Sequence, residues 1–155
     1  MHAQPPQPLG PEERREALGL LARAPAARLA ALLAQIPAPF LPAHEILRAP
    51  ETGTVMVRGR AGGTGAAFNL GEITVTRASV RLAGGAVGHG YVQGRDRDHA
   101  LRAALVDALG QSDARLIAPI LASLRADEAA ARAATGAEAE ATRVEFFTLL
   151  RGEDE

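Results

Sequence analysis

The 155-residue chain has no cysteine and no tryptophan, and its aromatic residues are Phe40, Phe68, Tyr91, Phe146 and Phe147 alone. Without thiols it has no disulfide, no thiolate to hold an iron–sulfur cluster and no thiol nucleophile. That composition fits the cytoplasm. A dominant charge is missing too: 17 basic residues face 18 acidic ones, a net charge of −1. No overall field therefore recruits nucleic acid or an anionic membrane. No apolar run reaches membrane-spanning length, and the first ten residues lack the basic and apolar regions of a signal peptide, so neither is expected. A single domain with so few large side chains buries limited area per residue. Its stability is expected to lean on self-association or on a permanent partner.

Helical signals occupy both ends. Residues 1–11 are proline-rich and aperiodic, and read as a disordered arm. Pro11-Glu12-Glu13 opens a helix, because proline is tolerated in a first turn and acids favour its positive end. Leu18 and Leu21 mark its apolar side, and Pro25 breaks it. A second helix from about Ala26 carries Leu29, Leu32, Leu33 and Ile36, and ends before Pro37, Pro39 and Pro42. The pair reads as a hairpin laid over a sheet. Later, a helix from Arg97 or Asp98 has a stripe of Leu101, Leu105, Val106 and Leu109, with Gly110 as its expected end. Another follows from Asp113, with Pro119 as a bend or early-turn residue. Its Asp127–Ala141 part is nearly all alanine and charge, favourable for helix but short of bulky surface to bury. The Val144, Phe146, Phe147, Leu149, Leu150 cluster beyond it is expected to be a packing or partner-docking anchor.

Between His44 and Gln93 the period becomes two. Thr54–Arg58 alternates, with Val55 and Val57 expected inward. Segments 68–70, 73–75 and 80–82 read as further strands, and Ala83-Gly84-Gly85 as a turn into Val87–Val92. The many glycines here, Gly88 and Gly90 among them, are expected at turns and bends of the sheet rims. Links this short require antiparallel neighbours.

No set of residues completes a catalytic site. Arg60-Ala61-Gly62-Gly63-Thr64-Gly65 offers amides, a hydroxyl and a guanidinium to an anion, but lacks the lysine and spacing of a P-loop. Its plainer reading is a connector between antiparallel strands; the others are phosphate contact and insertion into a partner. Arg77 and Arg81 share a strand face by their spacing, where they would meet carboxylates, phosphates or simply water. His89 and His99, with Glu72, Asp96 and Asp98 as co-ligands, lack the spacing of a metal site, so no metal is expected. His99, at a helix start, reads as a hydrogen-bonding surface or interface residue, and Tyr91, Arg95 and Asp96 as further interface candidates. No serine sits in a nucleophile elbow.

Several separated motifs then resemble one family, the PhnG subunit of the bacterial carbon–phosphorus lyase core complex. They are Glu51-Thr52-Gly53, Arg60–Gly65, Gly71-Glu72-Ile73-Thr74-Val75-Thr76-Arg77-Ala78-Ser79-Val80-Arg81-Leu82 and Gly90-Tyr91-Val92-Gln93-Gly94-Arg95-Asp96 with His99-Ala100. Asp107-Ala108-Leu109 and the ending Thr142–Gly152 complete the set. The resemblance implies a cytoplasmic role in releasing phosphate from organophosphonates. It implies action with PhnI most directly, and with PhnH, PhnJ and the ATP-binding-cassette proteins PhnL or PhnK. The implied reaction, needing MgATP and methylphosphonate, yields α-D-ribose 1-methylphosphonate 5-triphosphate. S-adenosylmethionine and the iron–sulfur cluster are implied for another subunit, and no cofactor or catalytic residue is implied for this chain. An isolated anion- or nucleotide-binding module, or a scaffold lending one phosphate-holding residue to a partner, is the alternative. A homo-oligomer is one state open to the chain alone, and the sequence does not fix it.

The expected fold is α+β: an antiparallel sheet of about four strands, flanked by an N-terminal helical hairpin and C-terminal helices. Residues 12–152 form one domain in this reading, and 153–155 an acidic tail.

Overall fold

Prolines and aspartates set the helix boundaries in a computed structural model that describes residues 5–37 and 42–142. Helix α1, Pro11–Arg23, begins on its proline, and the Gly10 amide donates to Glu13 Oε2 at 3.0 Å. Pro25 then starts α2, Ala26–Leu33. Asp96 caps α3, Arg97–Ser112, by accepting from the His99 amide at 2.8 Å. Asp113 caps α4, Ala114–Ala141, through the Arg115 amide. These side-chain acceptors satisfy amides that have no partner within their own helix. Ahead of α1, the Leu9 amide donates to Gly110 O and Gln7 O accepts from the Ala114 amide, so the chain there lies against the α3–α4 junction.

The sheet is antiparallel, in the order β1 (His44–Arg60), β2 (Ala67–Leu82), β3 (Val87–Gln93). It has three strands rather than four, because the segments read separately at 68–70, 73–75 and 80–82 join into β2. Gly71 does not interrupt that strand: it pairs with Val57, and the ladder absorbs the irregularity as a bulge between Val57 and Arg58. Gly85, with φ of 92°, turns β2 into β3.

Among the described residues, helices cover one face only. Ala78, Val80 and Leu82 of β2 and Val92 of β3 meet Ala100, Ala104, Val106 and Leu109 of α3 in the core, which Leu21, Leu29, Ile117 and Leu121 close from the other helices. The expected stripe on α3 proves too narrow. Burial runs nearly all round the helix, from His99 to Gly110, because it is sandwiched between the sheet and the other helices. Gly110 does not end α3; it sits under Ile117 and Leu9, where a Cβ would come within 2.5 Å of Ile117 Cδ1. Nor are Gly88 and Gly90 rim bends. They lie mid-strand on the buried face of β3, where α3 approaches so closely that a Cβ on Gly90 would fall 1.9 Å from Ala100 O.

Helices α1 and α2 turn a corner at Ala24-Pro25 and pack on other elements rather than along one another, α1 on β3, α3 and α4 and α2 on α3 and α4, so they do not form a closed hairpin. Three arginine–acid pairs bind them to α4: Arg23 with Glu128, Arg28 with Asp127 and Arg125 with Glu16. A fourth lies deeper. Asp107, 1% exposed, accepts from Arg14 Nε at 3.0 Å, from Arg14 Nη2 at 2.8 Å and from the His89 amide at 2.8 Å, joining α3 to α1 and β3. Beyond Leu124, the last buried residue of α4, residues 129–142 are all exposed. No helix among the described residues is long and apolar enough to cross a membrane.

Candidate partner-docking surface

Unequal strand lengths create the first surface feature. Only Val75–Arg81 of β2 pair with β3, so residues 67–74 pair with β1 alone. At about 3.4 Å per residue, this two-stranded arm runs roughly 25 Å beyond the three-stranded region. Every large apolar residue exposed among the described residues lies on the sheet: Ile46, Leu47, Met56, Phe68, Leu70, Ile73 and Tyr91. Four of these, Met56, Phe68, Leu70 and Ile73, are on the arm. Val55 and Val57, expected inward, are only half-buried and share the face of Ile73 and Val75, which is turned away from the helices. Alternation reveals that residues take turns between faces; it does not say which face the helices cover.

The arm ends in a turn over Ala61–Gly63, with Gly62 and Gly63 at positive φ. Arg60 folds back on it, donating from Nη1 to Gly65 O at 3.1 Å, and the Gly65 amide bonds Ala61 O. The Gly62-Gly63-Thr64-Gly65 segment thus connects the two antiparallel strands, at the point of the arm farthest from β3.

The uncovered face of the three-stranded region forms the second feature. Its outward side chains fall in rows across the strands: Glu45, Arg81, Val87; Arg48, Ser79, His89; Glu51, Arg77, Tyr91. Arg77 and Arg81 do share this face, each paired within the chain, with Glu51 and Glu45. Glu51 Oε2 has three guanidinium nitrogens within 3.2 Å: Arg48 Nη1 at 3.0 Å, Arg77 Nη2 at 3.1 Å and Arg77 Nε at 3.2 Å. The hydrogen bond from Arg77, and then the charge of Arg48, hold the Glu51 carboxyl below its ordinary pKa. Beside them Gly53, Val55, Val75 and Tyr91 line a shallow hollow of about 180 Å³. Under the sheet, Thr76 Oγ1 bonds Thr52 Oγ1 at 3.0 Å and Gly94 O at 2.8 Å, tying β1 and β2 to the residue that follows β3.

The two histidines part company. His89 is exposed on the open face, its Nδ1 2.8 Å from Ser79 Oγ. His99 is buried at the start of α3 and donates from Nε2 to Leu21 O at 3.1 Å. Burial lowers its pKa from the ordinary value, against the opposing pulls of that hydrogen bond and of Asp96. Within the chain it joins α3 to α1, and its ring does not reach the surface as expected of an interface residue. Asp96 serves as a cap, while Tyr91 and Arg95 are exposed. Among the described residues no three His, Asp or Glu side chains gather where a metal ion would fit. Phe146 and Phe147 lie outside the described residues. The Arg14–Asp107 pair escaped sequence reading because its partners are 93 positions apart; the one available signal was a lone acid amid the apolar run Ala103–Leu109.

Comparison with known proteins decides the family. The family model described as "Phosphonate metabolism protein PhnG" matches residues 12–152. The chain belongs to the PhnG family. A relative from Rhizobium meliloti (strain 1021), named alpha-D-ribose 1-methylphosphonate 5-triphosphate synthase subunit PhnG, is 46% identical over 151 residues, covering 94% of this chain and 93% of the relative. The match meets the resemblance read from the separated motifs. As a PhnG subunit the chain takes part in phosphonate catabolism within the carbon–phosphorus lyase complex. For a PhnG chain, an arm with apolar side chains on show and a sheet face left open among the described residues are features suited to assembly.

Proposed function

We propose that the chain is a supporting subunit that docks PhnI through its β1–β2 arm. In that position it is required, with PhnH and PhnL, for making α-D-ribose 1-methylphosphonate 5-triphosphate from ATP and methylphosphonate. PhnJ and the second ATP-binding-cassette protein, PhnK, belong to the same cytoplasmic assembly in this reading. The observation that carries the proposal is the arm itself. A two-stranded ribbon is marginal in water on its own, and this one displays Met56, Phe68, Leu70 and Ile73, which no helix among the described residues covers. A partner that clasps the ribbon covers those side chains and gives the arm its missing layers.

The test is reconstitution of PhnI, PhnH and PhnL with this chain, reading co-purification and adenine release together. The double variant Phe68→Ser/Leu70→Ser touches only exposed side chains, so its circular dichroism should match the parent. Its affinity for PhnI is expected to fall by at least about tenfold, as for loss of interface anchors, with adenine release falling in step. Native stoichiometry and full release from the variant would overturn the docking role.

A further inference from the structure

We infer that the open face of the sheet receives an acidic segment of the partner subunit, held by Arg48, Arg77 and Arg81. This deepens the docking role proposed above and rests on it. Three arginines share the face with two glutamates, Glu45 and Glu51, which leaves one positive charge in excess. The surplus is concentrated. Two guanidiniums converge on the single oxygen Oε2 of Glu51, in a donor set that a second carboxylate can join or take over. All three arginine side chains are about half exposed, at 46%, 55% and 48%, so their heads are within reach of a partner.

Shape selects the occupant. A small anionic ligand needs a cavity that buries most of its surface, commonly about 300 Å³ or more. The hollow beside Arg77 offers about 180 Å³; a second, beside Glu45 and Arg81 at the end of the sheet, reaches about 300 Å³ but is wide open to solvent, so neither encloses a ligand. A protein carboxylate needs no such enclosure, because its backbone is supplied by the partner. Arg77 and Arg81 stand four residues apart on one strand, about 13 Å along it. An extended segment lying along β2 places its own acidic residues four apart at the same interval. Strand β2 also continues directly into the arm, so a partner that grips the ribbon reaches this face without a gap.

Purified PhnI serves as the probe, its affinity for the chain measured at about 50 and about 300 mM salt, between which the screening length shrinks about 2.4-fold. The parent is expected to bind more weakly at the higher salt. Arg77→Glu/Arg81→Glu is expected to lose about tenfold or more at low salt and most of the salt dependence. Glu51→Gln removes the internal competitor, and should tighten binding. Arg77→Gln, which removes the charge but keeps a shorter polar side chain, should fall between parent and double variant; circular dichroism checks that each variant is folded. Unchanged affinity and salt slope in the double variant, with the arm variant still defective, would overturn the acidic-segment assignment and leave arm docking standing. Absence of any parent binding to PhnI would overturn both. If the double variant binds PhnI normally but the assembled complex loses affinity for ATP, the face holds a small anion and the assignment is wrong.

Discussion

Gly90→Ala is expected to destabilise the domain by about 3 kcal/mol or more, one added methyl doing more harm than many whole-side-chain truncations. A Cβ at this position would lie 1.9 Å from Ala100 O and 2.9 Å from Ala104 N. Those obstacles are backbone atoms of α3, so no change of rotamer relieves the clash. Either β3 or the helix must move, and both are held in place: β3 by its ladder with β2, and α3 by burial on nearly all sides. Gly88 makes the neighbouring contact, where a Cβ would meet Ala104 O at 2.1 Å. Gly71→Ala provides the control within the same sheet. Nothing lies within 4 Å of a Cβ there, and its expected effect is within about 0.5 kcal/mol of zero. Chemical denaturation of the two variants checks the claim, and equal midpoints would show that α3 does not sit as close to β3 as described.

Asp107→Ala should cost about 3 kcal/mol, the second large effect. The substitution removes the acceptor for Arg14 and for the His89 amide together, leaving the amide without its partner beneath the sheet. Arg14 is 30% exposed and can turn towards water, which limits the charge penalty on its side. Arg14→Ala is therefore expected to cost less than Asp107→Ala, because Asp107 keeps the His89 amide. Urea unfolding of both single variants and of the double variant gives the coupling between them. Strict additivity would mean that the pair does not act as a unit.

These two sites mark where sequence patterns stop being informative. Helix starts were readable at Pro11 and Asp113, since proline and a capping side chain act on their own neighbours. The shared face of Arg77 and Arg81 was readable for a similar reason: four residues along a strand return to one side. What lay across space was not. Glycine serves in turns and in close packing alike, so the sequence does not distinguish a bend at Gly88 or Gly90 from the close approach of α3 that the structure has there. The arm was hidden because Gly71 looked like a boundary between short strands, whereas a hydrogen-bonded ladder continues through it. The place of His99 at a helix start is local and legible, whereas its buried bond to Leu21, 78 positions away, is not. The family followed from the order of several motifs, a property that survives ignorance of the fold.

Amide hydrogen exchange, recorded on the chain alone and then with PhnI bound, reaches the central claim most directly. Docking through the arm predicts that amides in 53–60 and 67–74 exchange readily in the free chain and become strongly protected in the complex. Protection confined to the helices, with both arm segments exchanging as fast bound as free, would contradict it.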